Sequence, residues 1–179
     1  DWTDKIHCFI VTGPKARDLL APITEADLTL PWLSVQYFAK VAGRDVALVR
    51  VSFAGELGWE IHCDRGDAAH IYDALLAGGA KPFGMKALNS LRIEKGYRAW
   101  KGDLSTDYSL LEGGLERFID WGHDFPGKAA LAGEKQSGVK KRFVSLKVEA
   151  GEADAPYMST IWQGGQVVGE TTSGGWGYR

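Results

Sequence analysis

The segment GWEIHCD, residues 58–64, constrains this chain more than any other. Side chains on a strand point alternately to opposite faces. As a strand, this segment puts Trp59, Ile61 and Cys63 on one apolar face and Gly58, Glu60 and His62 on the other. Such a strand requires a sheet with one side packed against a core and one side left for polar groups. The chain is long enough for that core, or for one domain and part of a second, because it has 179 residues with 45% hydrophobic content.

The neighbouring segments supply partners for the strand. KIHCFIVTG is β-rich and alternating, and LSVQYFAKVAGRDVALVRVSF reads as two strands joined at Ala42-Gly43-Arg44-Asp45. Between them, GPKARDLLAPI predicts a helix with Pro14 near its start and Ala16, Leu19 and Leu20 on one face. RGDAAHIYDALLAGG predicts an amphipathic helix that stops at Gly78-Gly79, and MKALNSLRIEKG a further helix that stops at Gly96. Residues 97–117 read as a long ordered loop with a helical turn near residues 111–115. FPGKAALAGEKQSG predicts another helix, and RFVSLKVE with the hairpin TIWQGGQVVGETTS an all-β ending. The change of character places a domain boundary near residue 138.

Composition excludes several function classes. The net charge is -2, and the densest basic run, GVKKRF, is short, so no electrostatic binding of nucleic acid is expected. No apolar run has membrane-spanning length, and no signal-peptide pattern is present. Cys8 and Cys63 give neither a disulfide framework nor metal-ligand spacing. They read as two buried thiols of a reducing compartment, and no metal site is expected. No nucleophile elbow, Walker loop or dinucleotide glycine fingerprint appears.

Two groups of residues are candidates for chemistry. On the polar face of GWEIHCD, Gly58 would let a flat ring approach the backbone. Glu60 beside it offers two coplanar oxygens to paired N–H donors, such as an amino-pyrimidinone edge, with His62 next in the row. A solvated face satisfies the same spacing, and Glu56 in the bend before it reads equally as a turn residue. In MKALNSLRIEKG, Met85, Leu88 and Arg92 form one helical stripe, which puts Arg92 at the buried face. A buried guanidinium needs a partner from the protein or from a ligand. Tyr97 and Trp100 follow, and serve either a flat pocket or the core.

GPKARDLLAPIT, VRVSFAGELGWEIHCD, ALNSLRIEKGYRAWKGDLSTDYSLLEGGL and FPGKAAL, in this order, resemble the folate-binding aminomethyltransferase family, which includes the glycine cleavage T-protein. The similarity is greatest to the C-terminal folate region of sarcosine and dimethylglycine dehydrogenases. The resemblance implies an α+β fold: the second half of the folate-binding domain, an antiparallel sheet with flanking helices over residues 1–138, then the start of a C-terminal β-barrel-like antiparallel domain over residues 139–179. It implies tetrahydrofolate as cofactor, with the pterin held by Glu60, and His62, Arg92, Phe53, Tyr97 and Trp100 associated with the same site. His62 stands where relatives frequently have Tyr. The implied chemistry is transfer of a one-carbon unit from a small amine substrate, giving 5,10-methylenetetrahydrofolate by orienting the reactants.

The family's acidic residue and any FAD domain are expected upstream, so this chain reads as a fragment, inactive alone. It begins DWTDKIHC without a methionine and ends TTSGGWGYR just after a hairpin. Dimerisation through open sheet edges is a further expectation. The alternatives are a stand-alone glycine-cleavage aminomethyltransferase and a non-catalytic interaction module of the same fold. The iron–sulfur maintenance branch is disfavoured, because neither cysteine lies in its glycine-rich motif. A cytoplasmic location is expected, or the mitochondrial matrix for a eukaryotic source.

Overall fold

The computed structural model describes residues 1–151 and 153–177. Residues 152, 178 and 179, which the expected C-terminal β-domain includes, lie outside the described residues. The architecture is α+β, as the resemblance implies. The chain forms two compact units, Asp1–Lys95 and Gly96–Arg179.

The first unit is built on β1 (Ile6–Thr12), β2 (Val35–Val41), β3 (Arg44–Val49) and β4 (Gly58–Asp64). They form one antiparallel sheet in the order β1-β4-β3-β2. The predicted alternation holds in β4: Trp59, Ile61 and Cys63 are buried, while Glu60 and His62 are half-buried. Val11, Val46 and Leu48 face the same core, and short helix α1 (Ala16–Leu20) adds Ala16 and Leu20. Helix α2 (Ala68–Ala77) adds Ile71 and Leu75 at the helical spacing of i, i+4. The sheet therefore has one covered face, which holds its interior, and an opposite face that carries the polar groups of β4.

Helix α3 (Met85–Glu94) ends the first unit and buries Leu88 and Arg92, while Met85, at the start of the same stripe, is exposed. Among its described residues, the second unit contains α4 (Lys128–Ser137) and a hairpin of β5 (Thr160–Gln163) and β6 (Gln166–Glu170). One sequence expectation is corrected here. Hydrogen-bonded turns form near residues 111–115 as expected, with Gly113 N donating to the Ser109 carbonyl, and a 3-10 turn follows at Glu116–Phe118. RFVSLKVE alternates like a strand but pairs with nothing regular among the described residues, and Val144, Leu146 and Val148 are exposed. Alternation states a preference; a strand also needs a neighbour to bond with.

No helix among the described residues is long and apolar enough to cross a membrane.

Candidate functional site

The candidate site lies on the polar face of β4. Its antiparallel pairing with β1 sets Cys8 opposite His62 and Ile10 opposite Glu60. Because register fixes which side chains share a face, Cys8, Glu60 and His62 all project from the same side of the sheet. His62 Nε2 lies 3.0 Å from Glu60 Oε2 and 3.7 Å from Cys8 Sγ. An ionised carboxylate only accepts, so the proton of the Glu60–His62 bond sits on Nε2, which donates. The second carboxylate oxygen, Oε1, forms no hydrogen bond with the described residues. With 27% of its side chain exposed, Glu60 is desolvated enough to bind strongly and open enough to be reached.

One of the two thiols departs from expectation. Cys63 is buried in the core as expected, but Cys8 is exposed. Partial desolvation of its sulfur, then the Glu60 carboxylate and Cys63, push the Cys8 thiol up to about 11. It is protonated at neutral pH and is a poor nucleophile as it stands.

Gly58 also departs from its expected role. A Cβ built there would lie 2.9 Å from Ser52 Cβ, 2.9 Å from the Val11 carbonyl oxygen and 3.1 Å from Thr12 Oγ1. The space that a flat ring was expected to use is filled by the protein, with Ser52 buried and its Oγ 3.0 Å from Thr12 Oγ1. Gly58 is thus required for close packing at the start of β4. Gly58→Ala is expected to cost about 1–3 kcal/mol, the range for overpacking a filled site. Chemical denaturation checks this, and a variant as stable as the parent would show that the neighbours yield freely.

The bend that delivers β4 is tied down by a second close approach. Gly55 has φ 79°, and a Cβ there would fall 2.5 Å from Lys95 Cγ. Phe53 and Glu56 sit half-buried on either side of it. Two guanidinium groups lie over the ring of Trp59, directly after Gly58. Arg50 Cζ lies 4.7 Å from the ring centroid and Arg17 Cζ 5.8 Å. Arg50 Nη1 also donates to the Gly58 carbonyl at 2.9 Å, which links the end of β3 to the start of β4. Sequence reading missed these arginines, since nothing in their spacing marks them.

Arg92 is buried, as its stripe predicts. Its Nε and Nη2 both donate to Asn89 Oδ1, at 2.9 and 2.6 Å, so its partners include an amide one helical turn back. Tyr97 and Trp100 belong to the second unit, where Tyr97 is half-buried and Trp100 is 66% exposed. Close by in sequence is a residue that reading of the sequence did not single out. Asp103 is buried and accepts from Ala99 N at 2.8 Å, Thr172 Oγ1 at 2.6 Å and Ser173 Oγ at 2.7 Å.

Comparison with known proteins agrees with the motifs. Residues 1–123 match the family model described as the GCVT N-terminal domain. The chain is 38% identical to human dimethylglycine dehydrogenase, mitochondrial, over 98% of its own length and 21% of that protein's. It is 36% identical to the mouse sarcosine dehydrogenase, mitochondrial, over 99% of its own length and 20% of the relative's. An aminomethyltransferase of Saccharopolyspora erythraea is 32% identical over 97% of the chain and 49% of that enzyme. The chain thus spans about a fifth of the length of the dehydrogenases it matches. Its match across the sheet and helices that position Glu60, together with these enzymes as relatives, shows that the chain belongs to the GCVT N-terminal domain family.

Proposed function

We propose that this chain is the tetrahydrofolate-binding, one-carbon transfer part of an enzyme like the sarcosine and dimethylglycine dehydrogenases. The observation that carries the reading is Glu60, a half-buried carboxylate oriented by His62 with Oε1 left to accept. A pterin presents adjacent N–H donors along one edge, and a carboxylate held in one plane is their complement. His62 fixes the carboxylate by its bond to Oε2, which lowers the ordering cost on binding. Phe53 in the bend and the buried Arg92 belong to the same unit as Glu60 and are assigned to the site with it. Tetrahydrofolate, when bound, supplies the nitrogen acceptor for a one-carbon unit. The chain's own residues bind and orient it, which is where the rate gain of such a transfer arises. A domain limit near residue 138, a small amine substrate and an FAD domain elsewhere in the protein belong to the same reading. The relatives named mitochondrial favour that location for a eukaryotic source.

The test is calorimetric titration of tetrahydrofolate into the full-length protein and into its Glu60→Ala variant. Loss of charge-assisted hydrogen bonds worth about 2–3 kcal/mol weakens binding roughly 30- to 150-fold. Equal affinity in the two proteins removes Glu60 from the site. No binding by the parent protein overturns the folate reading and favours an interaction module.

A further inference from the structure

Cys8, Glu60 and His62 bring three different metal-ligating groups together, with one donor atom of each within 4.8 Å of the others. Linear spacing conceals this set, because Cys8 is 52 residues from Glu60 and 54 from His62 and only the β1–β4 register joins them. The distances can be compared with a coordination sphere. Tetrahedral zinc with Zn–S of about 2.3 Å and Zn–N or Zn–O of about 2.05 Å has S···N edges of about 3.6 Å and N···O edges of about 3.3 Å. The Sγ···Nε2 separation is already 3.7 Å. The Nε2···Oε2 separation is 3.0 Å because a proton lies between the two atoms. Replacing that proton with a cation opens the edge by a few tenths of an ångström, within the reach of side-chain rotation.

We propose that Cys8, Glu60 and His62 form a three-ligand site for a zinc-class divalent cation, with a fourth position open to water or an external ligand. Thiolate and imidazole donors favour zinc-class ions over magnesium or calcium, which take oxygen ligands. The ligands stand on two paired strands, so no loop has to be ordered for them to meet. The cation displaces the thiol proton of Cys8, which leaves to solvent as the Sγ bond forms, while the single proton of neutral His62 moves from Nε2 to Nδ1 so that Nε2 can coordinate. The site is independent of the folate reading, but it uses the same carboxylate. A cation bound there therefore competes with any ligand that needs Glu60.

Cobalt(II) titration of the full chain, kept reduced with a non-thiol reductant, tests the site directly. One equivalent should produce a thiolate-to-cobalt charge-transfer band and the intense visible bands of a tetrahedral ion, and zinc should remove both. Cys63→Ser should keep the charge-transfer band and Cys8→Ser should lose it. His62→Gln and Glu60→Gln should each weaken binding by roughly tenfold or more. Absence of the band in the parent protein overturns the proposal whatever the variants do. So does a band that survives Cys8→Ser. Neither outcome depends on tetrahydrofolate binding, so this proposal and the folate reading fail separately.

Discussion

Trp59→Ala is expected to destabilise the first unit by about 3–5 kcal/mol, the range for deleting a large aromatic from a packed interior. Trp59 is 1% exposed and sits in a cluster with Val11, Leu20, Leu48 and Ile61. Its neighbours come from strands paired on both sides, so the site cannot collapse onto the space the indole leaves. The loss has a second component. Arg50 lies 4.7 Å from the ring and its Nε is buried without a hydrogen-bond partner among the described residues, so the aromatic face is what that side of the guanidinium contacts. A cation–π contact of this kind contributes about 0.5–2 kcal/mol. Trp59→Phe keeps an aromatic face and much of the volume, and should cost less than half as much as the alanine variant. Denaturant titration of both variants gives the comparison. A loss below about 1 kcal/mol for Trp59→Ala would place the indole among ordinary surface positions and contradict its burial.

The same residue shows what the sequence makes legible. Alternation across Gly58–Asp64 identifies the buried and open faces of β4, because a strand has only two faces and the apolar side chains choose between them. The hairpin of β2 and β3, the helices α2 and α3 and the burial of Arg92 follow from equally local rules. What is illegible depends on partners distant in sequence. Cys8 reads as one more core thiol until the β1–β4 register sets it against His62. Gly58 reads as an opening for a ligand until Ser52 and Val11 are seen to fill the space. RFVSLKVE has the composition of a strand, yet composition cannot supply the neighbouring strand that would complete it. For the site, Glu60 and His62 are legible as a pair because they share one strand face. The acceptor for Arg92 is not, because an asparagine one turn away on a helix is as ordinary as any polar residue.

Asp103→Ala should have the largest effect on the second unit. None of the buried hydrophobic side chains among the described residues lies beyond residue 95, and Asp103 is the buried polar one there. Order in this unit therefore leans on hydrogen bonds more than on an apolar core. The Asp103 carboxylate ties the 99–104 turn to residues 172 and 173, joining segments 69 and 70 residues apart. Bonds to a charged acceptor contribute about 1.5–3 kcal/mol each before the cost of burying the charge is subtracted. A net loss of about 3 kcal/mol is expected, or roughly a hundredfold in the opening equilibrium. Hydrogen exchange reads it locally: the Ala99, Asp103 and Leu104 amides, all bonded within this turn, should exchange about a hundredfold faster. Asp103→Asn separates charge from shape. Its amide oxygen can still accept from the hydroxyls of Thr172 and Ser173, but its NH2 group then faces the Ala99 N–H, donor against donor. An intermediate loss is the expected result. If the asparagine variant matches the parent, shape alone holds the clamp. If the alanine variant also leaves exchange unchanged, the tie between the turn and residues 172 and 173 contributes nothing to the order of this unit.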